Sequence, residues 1–423
     1  MENFNEFIAD LEKLVSINTE NAPEALDAPF GENNKLALNT FLDIAKRMGF
    51  ETRNYENYIG EVCFGEGEEI GIVGHLDVVP AGIGWNTPPY QLTKIGDTYY
   101  GRGTSDDKGP LLLSLYALKA LKDSGIKVNK KFRLFAGCNE ESGWQDAEYF
   151  SKNYGFPEYG FSPDGDFPVV YAEKGIFVVK FSLPKLKNFT NISGGTATNA
   201  VCDQASCTAN TKGIDLRLIN KHGLKLDGNK IVSFGLSAHG SRPDLGVNAM
   251  KALFEYFLDV GEDVQNLLDC LFYDKHGVFK QKNEQGGLTL SPNLINETEQ
   301  EIIITCDVRI PAPMSSAQVK TILDKFNISY TSIEKHPPFM VEKDGWFVQA
   351  LLSAYKEVSG DKNAEPIAMG GSTFGRVFEK GCSFGMDFPN MLNGIHEANE
   401  HVTEWEYKTG YEIYKKALMN LAK

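Results

Sequence analysis

Glu69-Ile70-Gly71-Ile72-Val73-Gly74-His75-Leu76-Asp77 is the stretch on which the fold turns. Its β-branched residues and glycines, in a run too short for a helix, predict a buried strand over 69–74. His75 and Asp77 fall where that strand ends, and ligand sites in open α/β sheets lie beyond the C-terminal ends of strands. Residues two apart on a strand face the same side, so Asp77 can hold the His75 ring while its other nitrogen meets a metal. Taken alone, the motif fits equally a strand-end histidine satisfied by a neighbouring acid.

Ahead of this stretch, apolar residues at three-to-four spacing predict amphipathic helices over 5–15 and 35–48. A helix over 110–122 opened by Pro110, a strand over 131–138 and a helix over 144–154 follow. Strand alternating with helix argues for an α/β domain with a mixed, largely parallel sheet. Beyond an apolar stretch at 169–182 the texture changes. Residues 193–213 are rich in Gly, Thr, Ala and Asn, and helices expected at 248–258, 264–272 and 316–326 stand among strands at 299–310 and 328–333. The earlier style returns at Trp346: a helix over 346–358, a glycine turn at 369–372, a strand at 383–386 and a terminal helix from 403. A chain of 423 residues exceeds what one hydrophobic core normally supports. The expected organisation is an α/β domain at 1–180 and 337–423, interrupted by an α+β domain at 181–336.

Lys and Arg number 42 against 57 Asp and Glu, a net charge of −15. That is the wrong sign for wrapping nucleic acid or an anionic membrane, and a surplus of carboxylates is available to hold cations. No apolar run reaches the ~18 residues of a membrane span, and residues 1–14 do not read as an export signal. Seven cysteines without a CxxC pair predict reduced, buried thiols and a cytoplasmic protein.

Four further stretches carry ligand-type residues. In Gly101-Arg102-Gly103-Thr104-Ser105-Asp106-Asp107-Lys108-Gly109-Pro110, adjacent carboxylates outside a helix are costly unless a cation offsets them; a solvated turn with an Asp cap is the bland alternative. Asn139-Glu140-Glu141-Ser142-Gly143 follows the 131–138 strand and permits one glutamate to ligate metal while its neighbour takes a proton, or simply begins a helix. Asp164 in Ser162-Pro163-Asp164-Gly165-Asp166 is a further carboxylate or a turn residue. His396 in Gly394-Ile395-His396-Glu397-Ala398-Asn399-Glu400 precedes the terminal helix.

In this order the motifs resemble the co-catalytic metallopeptidase family that includes aminoacylase, carboxypeptidase G, succinyl-diaminopimelate desuccinylase and carnosinase. Gly84-Trp85, Glu173-Lys174-Gly175 and Gly370-Gly371-Ser372-Thr373-Phe374-Gly375-Arg376 are similar to its bacterial dipeptidase V (beta-Ala-Xaa dipeptidase) branch. The resemblance implies a phosphorylase/hydrolase-like catalytic domain with an inserted lid. It makes His75, Asp106, Glu141, Asp164 and His396 the ligands of two divalent metals bridged by Asp106, with Asp77 orienting His75 and Glu140 as general base. Zn²⁺ is the first expectation and Mn²⁺ or Co²⁺ the alternatives, as suits a His/carboxylate shell without thiolates.

In the insertion, Gly235-Leu236-Ser237-Ala238-His239-Gly240-Ser241 resembles the family's lid-histidine motif, implying that His239 donates to the oxyanion. Asn199 would assist it, although Cys202 stands where the family usually has Pro. Arg309, in Asp307-Val308-Arg309-Ile310-Pro311, would bind the substrate's terminal carboxylate, and Gly371, Ser372 and Thr373 would add substrate contacts. Arg376 is divided between substrate contact and structural ion pair. The implied activity is hydrolysis of dipeptides with a free N-terminus, by a monomer with a homodimer as the alternative. An N-acyl-amino-acid amidohydrolase, a carboxypeptidase using the same metals, and a non-catalytic peptide-binding protein are the competing readings.

Overall fold

The computed structural model describes residues 1, 3–277, 282–283 and 285–423. Two compact units divide the chain: Met1–Tyr171 with Val341–Ile367 and Thr373–Lys423, and Ala172–Met340 with Ala368–Ser372. The first boundary therefore falls earlier than 180. The apolar stretch at 169–182 is two strands, Val170–Glu173 and Gly175–Pro184, which belong to different sheets. A continuous apolar run carries no periodic signal of such a break.

In the first unit the sheet runs Glu51–Tyr55, Ile59–Gly65, Lys130–Gly137, Glu68–His75, Tyr159–Ser162, Lys380–Ser383, and Val170 at the start of the next strand pairs with Ser383. The central four strands pair in parallel, and the flanks are antiparallel. The first two strands are joined by a turn too short for a crossover, which forces antiparallel pairing. The strand expected at 383–386 lies at Lys380–Ser383.

Helix Lys108–Asp123 begins immediately after Asp107 and buries Leu111, Leu112, Leu113, Leu115 and Leu118 completely. Each such side chain contributes roughly 1.5–3 kcal/mol relative to exposure. It packs against helices Phe4–Val15 and Glu404–Leu421. The latter opens with a capping box, in which the Thr403 hydroxyl accepts from the Glu406 N–H and the Glu406 carboxylate accepts from Thr403. The helix that begins at Lys108 is thereby held in place by packing.

The second unit holds an eight-stranded antiparallel sheet, in the order Lys225–Asp227, Lys230–Phe234, Gln204–Ala209, Phe189–Gly194, Thr289–Glu297, Glu301–Ile310, Gly175–Pro184, Ser329–His336. Helices Ala249–Asp259 and Gln265–Leu271 cover it through a core that includes Phe181, Leu253, Phe254, Phe257, Ile304 and Val308. The helix expected at 316–326 is α-helical over Ser316–Leu323 and closes in a 3₁₀ turn, Asp324–Phe326. No helix among the described residues is long and apolar enough to cross a membrane.

Candidate metal centre

Strand Glu68–His75 delivers His75 to the C-terminal edge of the sheet, and its parallel neighbour Lys130–Gly137 delivers the segment Asn139–Glu141 to the same edge. Tyr159–Ser162, parallel on the other side, leads into Asp164. Asp106 comes from the loop ahead of helix Lys108–Asp123, and His396 from the loop ahead of the terminal helix.

Asp106 is central. Its Oδ1 lies 3.0 Å from His75 Nε2 and its Oδ2 lies 3.0 Å from His396 Nε2. Asp164 Oδ2 is 3.7 Å from His75 Nε2, and Glu141 Oε1 is 3.2 Å from His396 Nε2. The five side chains therefore sort into two groups sharing one carboxylate: His75 with Asp164, and His396 with Glu141. His75, Asp106 and Glu141 also offer ligand atoms within 4.8 Å of one another.

Buried His75 Nε2 and Asp106 Oδ1 have no hydrogen-bond partner of acceptable geometry despite their 3.0 Å approach. Two buried, orphaned ligand atoms aimed at common space are the mark of a cation site, because leaving such groups unpaired is costly. The donor set is imidazole and carboxylate with no thiolate, which suits Zn²⁺ or Mn²⁺.

The titration behaviour follows from this crowding. Burial works against a charged His75, but the Asp106, Asp164 and Asp77 carboxylates outweigh it and raise its pKa well above the ordinary value. Burial also opposes protonation of His396, while Asp106 and Glu141 push it up to about 11; its side chain is 47% exposed, so water screens part of that pull. Asp106, though buried, is held low by His396 and His75. Burial, then repulsion from Asp106, lifts Glu141 to about 7. Burial likewise raises Glu140, with repulsion from Asp164, Glu141 and Asp106 adding to it.

Asp77 stands against the His75 ring with both its main chain and its carboxylate. The Nδ1 of His75 lies 3.0 Å from the main-chain oxygen of Asp77 and 3.5 Å from its carboxylate. The carboxylate also accepts the backbone N–H groups of Glu140, at 3.1 Å, and Glu141, at 3.0 Å. Three more acids, none given a role from sequence, do similar work. Asp107 Oδ2 accepts the His75 N–H at 3.1 Å. A Cβ at Gly74 would lie 2.1 Å from that oxygen, so only glycine permits the approach. Asp146 accepts from Cys138 and Asn139, and Glu400 accepts from the loop that carries Asp106. The signal available for Asp107 was its adjacency to Asp106; Asp146 was hidden in an ordinary helical first turn.

The remaining expected residues lie in the second unit, except Thr373 and Arg376. There the N–H of Gly240 donates to Asn199 O at 2.6 Å, placing Asn199 beside the turn that bears His239. The His239 Nδ1 is 2.7 Å from Ser241 Oγ. Arg309 is buried and forked onto Asp307, with Nε and Nη2 at 2.8 and 2.9 Å, while its Nη1 donates to Gly370 O at 3.0 Å. Gly371 and Ser372 follow in the same segment, and Ser372 Oγ is buried without a hydrogen-bond partner. Thr373, in the first unit, lies against Ser383, with the two hydroxyls 2.7 Å apart, and its oxygen accepts from the Gly375 N–H.

A model of the family described as Peptidase family M20/M25/M40 matches residues 71–420. A beta-Ala-Xaa dipeptidase of Lactobacillus delbrueckii subsp. lactis is 34% identical over 458 residues, covering 98% of this chain and 96% of that protein. Among solved structures, human carnosine dipeptidase 1 superposes with a TM-score of 0.59 at 16% identity, covering 99% of this chain and 97% of the other. The dipeptidase Dug1p of Saccharomyces cerevisiae does so with a TM-score of 0.61 at 15% identity, covering 100% and 96%. At those identities the two structures testify to a common fold.

Proposed function

The chain belongs to the peptidase family M20/M25/M40, and on that premise we propose that it is a metal-dependent dipeptidase hydrolysing dipeptides with a free N-terminus. The observation that carries the reading is the division of the Asp106 carboxylate between His75 and His396, with orphaned ligand atoms at its Oδ1 and at His75 Nε2. His75 and Asp164 would hold one divalent cation, His396 and Glu141 a second, and Asp106 both. Such a pair, when bound, supplies Lewis-acid polarisation of the scissile carbonyl and acidifies the attacking water. Zn²⁺ is our assignment, with Mn²⁺ or Co²⁺ as alternatives.

Glu140 is the general base in this reading, taking the water's proton and returning it to the leaving amine. Its buried environment, which disfavours the bare carboxylate, suits a group that must accept a proton and give it back. Asp77 fixes the main chain of Glu140 and Glu141 and so sets where both carboxyls point. His75 is held by the Asp77 carbonyl at Nδ1, which leaves Nε2 free to ligate. For the second unit we keep His239 as the oxyanion donor, assisted by Asn199, and Arg309 as the partner of the substrate carboxylate, its guanidinium plane set by Asp307. Gly371, Ser372 and Thr373 remain assigned to substrate contact, although the Thr373 hydroxyl is already engaged at Ser383. Free cysteines, six of the seven buried, support a reducing, cytoplasmic setting, and we assign a monomer.

The test is a panel of dipeptides and N-acetylated counterparts offered to chelator-stripped protein with and without added Zn²⁺ or Mn²⁺. Metal-dependent cleavage of free dipeptides is expected. Preference for N-acetylated substrates would instead identify an amidohydrolase, and binding without turnover a peptide-binding protein.

A further inference from the structure

We infer that Glu400 is a positioning residue, which holds the bridging Asp106 in place before metal arrives by tying the Asp106 loop to the His396 loop. The inference rests on the metal-centre reading above. Glu400 is completely buried. Its Oε1 accepts the backbone N–H groups of Gly103 at 3.1 Å, Ser105 at 2.8 Å and Asp106 at 3.1 Å. Its Oε2 accepts from the Gly103 N–H at 3.0 Å and from Arg102 Nη1 at 2.8 Å. Its main-chain oxygen takes the Gly101 N–H at 3.0 Å. One residue thus grips the loop from end to end, and the last amide it holds is that of Asp106 itself.

Converging backbone N–H groups form a concavity that selects an anion. An amide side chain of the same size offers a single acceptor oxygen, and its NH₂ would face donors. Glu400 also stands in the loop that bears His396, which contacts the other oxygen of Asp106. The neighbouring Asn399 extends the connection: its Oδ1 accepts the Asn86 N–H at 2.7 Å and its Nδ2 donates to Gly84 O at 3.2 Å. Two ligand loops nearly three hundred positions apart in sequence (|i−j| = 294 for the Glu400–Asp106 contact) are therefore set by one carboxylate. Arg102 stabilises that carboxylate from outside, its own Nη2 reaching Pro80 O at 3.3 Å.

The experiment measures Mn²⁺ binding by calorimetry to chelator-stripped wild type and Glu400→Gln, with circular dichroism to follow folding. It adds hydrogen exchange of the metal-free wild type. Folded Glu400→Gln is expected to bind Mn²⁺ about 10- to 100-fold more weakly, the usual cost of removing a ligand's support. The Gly103, Ser105 and Asp106 amides are expected to be protected without metal. An unchanged Kd in folded Glu400→Gln overturns the inference, since a merely structural role would move stability and leave metal affinity alone. Free exchange of those amides in metal-free wild type, with protection appearing only on loading, also overturns it and decides the matter should the variant not fold. Wild type that binds no divalent metal would overturn the metal-centre reading itself, and this inference with it.

Discussion

The Asp77 carboxylate accepts the Glu140 backbone N–H at 3.1 Å, so the acid two positions after the first expected ligand anchors the segment that carries the expected base. Its second oxygen serves Glu141 in the same manner. Asp77→Asn keeps the shape but can accept only one of the two N–H groups, and its own NH₂ then opposes the other. The expected outcome is a fall in kcat of about 10- to 100-fold with two metals still bound per chain. Steady-state kinetics alongside metal analysis check it; full activity in the variant would remove Asp77 from the machinery.

Glu140 has a separable role. Glu140→Gln preserves size and burial and removes the proton acceptor, so turnover of dipeptides should drop by roughly 10²–10⁴-fold. No ligand is lost, and calorimetric titration should return the wild-type metal affinity. A variant that turns over normally would require another base.

Much of this centre is legible in the sequence, for a physical reason. His75, Glu140, Glu141 and Asp164 follow the ends of strands whose apolar character is local, and strand ends converge in a parallel sheet. The supporting acids are different. Glu400 acts on backbone amides of a loop far away in sequence, and no spacing or periodicity records such a contact. The second unit carries weaker local signals. Strand Gln204–Ala209 arises inside the 193–213 stretch rich in Gly, Thr, Ala and Asn, where strand formation depends on the neighbours rather than on intrinsic preference.

Metal binding should release protons. In the metal-free protein the carboxylates around His75 and His396 overcome burial and raise both pKa values above 6.5, that of His396 to about 11. Ligation needs neutral rings, so affinity for Zn²⁺ or Mn²⁺ should rise from about pH 6.5 to about pH 8, with a binding enthalpy that depends on the buffer's ionisation enthalpy. The sign for stability follows from the same raised values. A histidine whose folded pKa exceeds its unfolded one contributes stability below the unfolded value and loses it as pH climbs towards the folded value. Chelated protein should therefore lose thermal stability above about pH 6.5, and loaded protein should not follow it. Equal slopes for the two forms would contradict the assignment of these histidines as ligands.

Gly74 offers the most local test. A Cβ there would sit 2.1 Å from Asp107 Oδ2 and 3.2 Å from Leu111 Cβ, so Gly74→Ala must displace the Asp107 carboxylate or shift the strand. Either movement breaks the hydrogen bond from the His75 N–H to Asp107 and misplaces the first ligand. Overpacking of this kind costs about 1–3 kcal/mol, readable as a lower urea midpoint. The variant should in addition bind metal more weakly, since His75 is the residue disturbed. Asp107→Asn supplies the control: it relieves no clash in Gly74→Ala, because the amide occupies the same space, and on its own it keeps an oxygen able to accept the His75 N–H. The single Asp107→Asn variant should thus retain most of the metal affinity that Gly74→Ala loses, and comparable loss in both would show that charge at Asp107, rather than the position of His75, governs binding.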